Sequence, residues 1–151
     1  MEGILVAVDL LAAAVWVGGT VALVFVAVPV IIRLEGEERG RSLKALGTRW
    51  RPIGYGALGV AVVTGLLLAD GDLDGASSGF GIVLAVKMAA VALLIGMSVL
   101  HDYVLGPRLA AQVRAGEEPT ERPRLVLVGR IAFVLTILVP ILGVTLQQLA
   151  D

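Results

Sequence analysis

Four apolar stretches, each at least about as long as a bilayer is thick, dominate this 151-residue chain and restrict it to a narrow set of folds. A hydrocarbon core of about 30 Å is crossed by about 20 residues of α-helix. Lipid offers no hydrogen-bond partner to an open backbone, so a spanning segment must satisfy its peptide groups internally. From Ile4 to Ile32 only Asp9 and Thr20 interrupt the apolar and small residues. The other stretches run from about Pro52 to Ala69, Phe80 to Leu105 and Leu125 to Leu149. Composition agrees: 58% of residues are hydrophobic and 17% charged, with a mean hydropathy of +0.94, and a soluble domain of this size carries more charge.

The expected fold is therefore all-α, a polytopic membrane four-helix bundle forming a single domain over residues 1–151. Its helices are expected at about residues 3–33, 52–69, 80–105 and 125–149. The first span is too long, and its start at Met1-Glu2 too acidic, for a cleaved signal peptide. Pro52 suits a first helical turn, and Gly106-Pro107 reads as a helix stop. The turn-rich D-G-D-L-D-G at residues 70–75 closes the second span, and a kink is expected near Pro140.

Charge sets the expected topology. Arg33, Arg39, Arg41, Lys44, Arg49 and Arg51 lie between the first two spans, and Arg108, Arg114, Arg122 and Arg124 between the last two. The segment from Asp70 to Gly79 has neither Lys nor Arg. The positive-inside rule puts basic loops at about 34–51 and 106–124 in the cytoplasm and both termini outside. Each half then reads as a span, a basic segment and a second span in the same orientation, a weak two-plus-two internal repeat.

Within the apolar runs, Asp9 and Lys87 are the two charged residues set well inside. Asp9 lies about 8 Å from the outer end of its span and Lys87 about 10 Å, so they share a level and are expected to form a salt bridge. An unpaired charge at mid-helix costs about 2.5–3.5 kcal/mol, somewhat less near an interface. The pair either locks the first span to the third, or binds a proton, an ion or the acidic groups of a cofactor. Trp16 and Thr20 fall on the same helical face as Asp9, and Gly18 and Gly19 adjoin them. The lone histidine, His101, follows Met97 by four residues, a combination suited to copper or haem iron, although a single histidine at a helix end also serves simply to cap or pack. Asp102 is expected to bridge to Arg130 as a structural ion pair. Cysteine is absent, which removes disulfides, thiolate metal sites and cysteine nucleophiles. No phosphate loop, dinucleotide fingerprint or H-E-x-x-H occurs, which argues against soluble-type hydrolase or kinase chemistry.

Several of these segments together resemble one family. They are L-L-A-A-A-V-W-V-G-G at 10–19, Pro29, G-T-R-W-R at 47–51, T-G at 64–65, Lys87, and H-D-Y-V-L-G-P-R at 101–108. The chain resembles the copper-resistance protein D (CopD) family of small membrane proteins over nearly its whole length. More distantly it is similar to the HemJ-type protoporphyrinogen oxidases. Both groups typically place histidine where this chain has Asp9. The resemblance implies that Lys87 belongs to a polar site, that Trp16 and Gly19 line its wall, and that His101 and Asp102 belong to a second motif.

The function it implies is copper uptake or tolerance by an integral membrane protein; Asp9, Met97 and His101 are the candidate metal contacts, with Asp9 and His101 near opposite faces as successive stations of a path rather than one site. The HemJ likeness implies instead a redox protein holding haem b, with His101 as axial ligand and Lys87 either orienting a propionate or assisting proton transfer. A non-catalytic subunit of a larger membrane complex is the third expectation. The expected surroundings are the lipid bilayer of a bacterial or archaeal plasma membrane, with a homo-oligomer or larger assembly as partner and no nucleic acid.

Overall fold

The computed structural model describes residues 2–70 and 78–150, and every regular element among them is helical. The elements are α1 (Glu2–Ala22), a π-helical segment (Leu23–Ala27), α2 (Val28–Ile31), α3 (Gly36–Asp70), α4 (Ser78–Val99), a second π-helical segment (Leu100–Leu105), α5 (Gly106–Arg114) and α6 (Arg122–Ala150). Four of the resulting helical runs are long and apolar enough to cross a membrane: Gly3–Ile31, Gly36–Ala69, Gly79–Arg114 and Arg122–Thr145. The chain is an all-α integral membrane protein. Beyond Asp70, the turn-rich 70–75 connection lies outside the described residues.

The exterior is what lipid requires. Ile4, Leu11, Phe25, Ile82 and Val134 are all exposed, while the small set of buried residues lies where helices meet. In water such a surface would be a severe liability; in a bilayer it carries no penalty, because the tails are as apolar as the side chains.

Three boundaries differ from the sequence expectation. The basic stretch 34–51 is not a loop: α3 begins at Gly36 and runs for 35 residues, carrying Arg39, Arg41, Lys44, Arg49 and Arg51 on its first half. Its residues explain this, since Glu, Arg, Lys, Leu and Ala all favour helix, and Glu37 and Glu38 complement the positive end of the helix dipole in the first turn. Pro52 consequently sits inside α3 rather than at its start. Gly106-Pro107 does not stop the third span either, since α5 continues directly from the second π segment. The chain turns at Gly116, whose φ of 69° lies in the left-handed region that glycine adopts without penalty. There Glu117 N–H bonds to Gln112 O at 3.0 Å and Gly116 N–H to Val113 O at 3.3 Å, a Schellman-type ending.

Both π segments stand immediately before a proline-containing helix. Val28, just before Pro29, donates its N–H to Leu23 O, and Gly106, just before Pro107, donates to His101 O, each bond reaching back five residues. Proline has no N–H to give, and its ring crowds the carbonyl four residues earlier. A wide turn before the ring accommodates both problems without ending the helix. Pro29 follows Asp9 by 20 residues, and Pro107 follows Lys87 by the same 20.

The chain divides into two compact units, one built from α1 to α3 and the other from α4 to α6. In the first, α1 and α3 run antiparallel: Asp9 meets Thr64 near one end, and Gly19 meets Trp50 towards the other. In the second, α4 and α6 also run antiparallel, with Lys87 against Gly143 and His101 against Gly129. Midway between those two contacts, Leu94 on α4 and Thr136 on α6 are the most deeply buried side chains among the described residues.

Candidate functional site

In the first unit the polar position is Asp9. The Thr64 hydroxyl donates to Asp9 Oδ1 at 2.6 Å, and Thr64 itself is only 6% exposed. The bond crosses from α1 to α3 on their shared face, in a segment of α3 with no ionisable residue from Ala57 to Ala69. A carboxylate there gains a directed donor where lipid provides none. Sequence reading missed Thr64 as a partner. It was visible only as the T-G motif, and no spacing rule pairs residues 55 positions apart.

One to two turns along α1, Trp16 is buried and stacks on Trp50 with ring centroids 6.4 Å apart and planes 29° from parallel. Tyr55 also packs on Trp16, with ring centroids 6.0 Å apart and planes inclined at 50°. Trp50 in turn lies against two glycines. A Cβ on Gly19 would collide with its six-membered ring, and one on Gly54 would stand 2.8 Å from its Cε2. Gly18, by contrast, has nothing within 4 Å of where a Cβ would be. The Trp16 wall is therefore an aromatic cluster filled by α3, of which Trp50 and Tyr55 carry no signal in the first span. Thr20 is half-buried, and its Oγ1 is a buried atom without a hydrogen-bond partner among the described residues.

In the second unit the two candidate groups stand apart. Lys87 is half-buried, with Nζ 3.4 Å from the position a Gly143 Cβ would take. Within its own unit, and among the described residues, its ammonium makes no hydrogen bond or ion pair. His101 begins 14 residues later, about 21 Å of helix rise along α4 and the π segment.

His101 Nδ1 lies 2.8 Å from Asp102 Oδ1, inside the second π segment. With Asp102 ionised, Nδ1 carries the proton and donates it, which leaves Nε2 as the nitrogen with a free lone pair. The Nε2 and Cδ2 edge of the ring rests against α6 at Gly129, where a Cβ would stand 3.2 Å from Nε2. The His101 side chain keeps 38% of its surface exposed. Arg130, the expected partner of Asp102, lies exposed on α6, and the contact seen at Asp102 Oδ1 is the one to His101. Met97 is half-buried one turn earlier on α4. Among the described residues no three His, Cys, Asp or Glu side chains converge on a common point.

The family model described as Domain of unknown function (DUF4149) matches residues 11–118. The chain belongs to this family. The DUF4149 match takes in Trp16, Trp50, Thr64, Lys87, His101 and Asp102, and it leaves Asp9 and all of α6 outside. No curated protein and no solved structure matches the chain.

Proposed function

We propose that this DUF4149 protein serves copper uptake or tolerance in the plasma membrane, with both termini outside and His101 as the principal contact for the ion. The observation that supports this reading most is the His101 and Asp102 pair. A carboxylate on Nδ1 orients an imidazole and raises the basicity of Nε2, the arrangement by which metal-binding histidines are commonly held. Copper is the cargo in this reading, and Asp9, on a different span, is a further contact for it. Met97 supplies the soft sulfur that copper favours. The CopD likeness adds the function class.

The test is metal analysis of protein purified from copper-supplemented cells, together with cellular copper content in a deletion strain. Bound copper that is lost in His101→Ala, with the helical content unchanged, supports the proposal. A metal-free protein whose deletion leaves cellular copper unchanged removes it.

One observation favours a second reading. Three ligands do not converge at His101, whereas haem iron is held by as few as one protein imidazole. The residues present fit that role in part, since Nδ1 is engaged by Asp102 while the Nε2 edge lies against α6 at Gly129. Haem would supply one-electron chemistry, and this chain's contribution would be an oriented Nε2 in the second π segment. A Soret band in the purified protein, absent from His101→Ala, selects this reading. A protein that stays colourless after haem addition eliminates it.

A further inference from the structure

The two helices of the first unit differ in chemistry at one and the same level. Only residues 32–35 separate α2 from α3, and α2 packs on α3, so the hairpin is tight at this end. Asp9 opposite Thr64 and Gly19 opposite Trp50 carry the alignment along it, which brings Phe25, Val26 and Val30 level with the stretch from about Arg39 to Lys44. Phe25, Val26, Val30 and Ile32 are each more than half exposed, and Arg39, Arg41, Lys44 and Arg49 are exposed beside them. The second unit is built otherwise. His101 opposite Gly129 sets Arg108 level with Arg122, so charge there stands beside charge, past Leu105 and before Leu125.

No uniform solvent suits the first arrangement. Water would lie against large apolar side chains, and hydrocarbon would strand several cations. A molecule that offers an apolar tail and an anionic head side by side satisfies both helices at once. We infer that the hairpin end formed by residues 23–49 is a binding surface for an anionic phospholipid, whose acyl chain lies along the Leu23–Ile32 run and whose phosphate is held by the cations of α3. Long Arg and Lys stems let those cations reach outward along the helix to a head group, and guanidinium groups match phosphate geometry.

Charge selects an acidic lipid over a zwitterionic one. Glu35, Glu37 and Glu38 precede the stretch, and from Arg39 to Arg51 every charged residue is basic. Among the described residues Arg39, Arg41, Lys44 and Arg49 form no ion pair, so their charge is not spent within the protein. A cluster of this size at a helix end attracts acidic head groups. The same cations set the expected topology, but topology asks only for their number and side, whereas a binding surface needs them next to the apolar run. The copper reading is not involved, because neither Asp9 nor His101 takes part.

The test is quenching of tryptophan fluorescence on the full chain in phosphatidylcholine vesicles that carry a brominated phospholipid in both leaflets. The chain's two tryptophans, Trp16 and Trp50, stack on each other in this hairpin, so quenching reports on lipid here. Brominated phosphatidylglycerol should quench more strongly than brominated phosphatidylcholine at equal mole fraction. That preference should fall about five-fold for each of Arg39, Arg41 and Lys44 changed to glutamine. It should survive Arg41→Lys with Lys44→Arg, and Arg108→Gln with Arg114→Gln on α5 should leave it unchanged. Equal quenching by the two lipids overturns the inference, as does an equal loss in the α5 variant. Displacement of the brominated lipid by millimolar inorganic phosphate would overturn it too, since the site would then belong to a soluble anion.

Discussion

Trp50 lies against two glycines, one on α1 and one on its own helix, and this decides which small residues of the first unit are replaceable. Gly19 and Gly18 are neighbours in sequence and look alike there, yet only Gly19 meets the indole. Gly19→Ala must push a large ring out of a filled site, which costs about 1–3 kcal/mol in overpacking. Gly18→Ala should be neutral or slightly stabilising, since nothing stands within 4 Å and alanine favours helix. Unfolding in mild detergent followed by tryptophan fluorescence checks both, and equal midpoints for the two variants would refute the assignment. His101 offers a second case. Gly129→Val is expected to displace its ring and so disturb the Asp102 hydrogen bond, seen as a changed imidazole nitrogen shift by nuclear magnetic resonance.

At the scale of the element, the two π segments explain how spans pass through Pro29 and Pro107 without ending. The wide turns exist because the ring cannot accept the ordinary α-helical geometry behind it. Pro107→Ala restores an N–H at that position, so the preceding turn is expected to tighten to α-helix and move His101 around the helix axis. Amide exchange and nitrogen shifts over residues 100–107 would report it, and unchanged values would mean that the π geometry is imposed by packing instead. Proline signals a break in sequence reading, and its actual effect was a local widening. Nothing in the residues 100–106 distinguishes the two outcomes, because the choice depends on whether the following residues still gain from being helical. Here α5 does continue, and the stop is Gly116, a glycine that sequence reading passed over.

For the whole molecule, two expectations rest on charge alone. The chain has no cysteine, so single cysteines introduced one at a time report topology directly. Glu118→Cys should be shielded from a membrane-impermeant thiol reagent in intact cells, while Ser77→Cys should be labelled. The reverse pattern would invert the proposed orientation. Pairing of Asp9 with Lys87 is tested by charge exchange. Recovery of stability in the Asp9→Lys, Lys87→Asp double variant relative to the two single variants would be the mark of a pair. Additive losses would leave each group to its own surroundings, which for Asp9 means Thr64. The sequence by itself determined the solvent, the fold class and the number of spans, because about 20 apolar residues in lipid have no stable alternative to a helix. It also singled out Asp9, Lys87 and His101, since a charge or an imidazole among apolar residues is conspicuous without any knowledge of its neighbours. Only the tertiary structure decided that Thr64 holds Asp9, that Asp102 holds His101, and that Trp50 fills the space over Gly19. The contacts of Thr64 with Asp9 and of Trp50 with Gly19 depend on how antiparallel helices align across 55 and 31 residues, and helical periodicity along one segment does not encode the register of another.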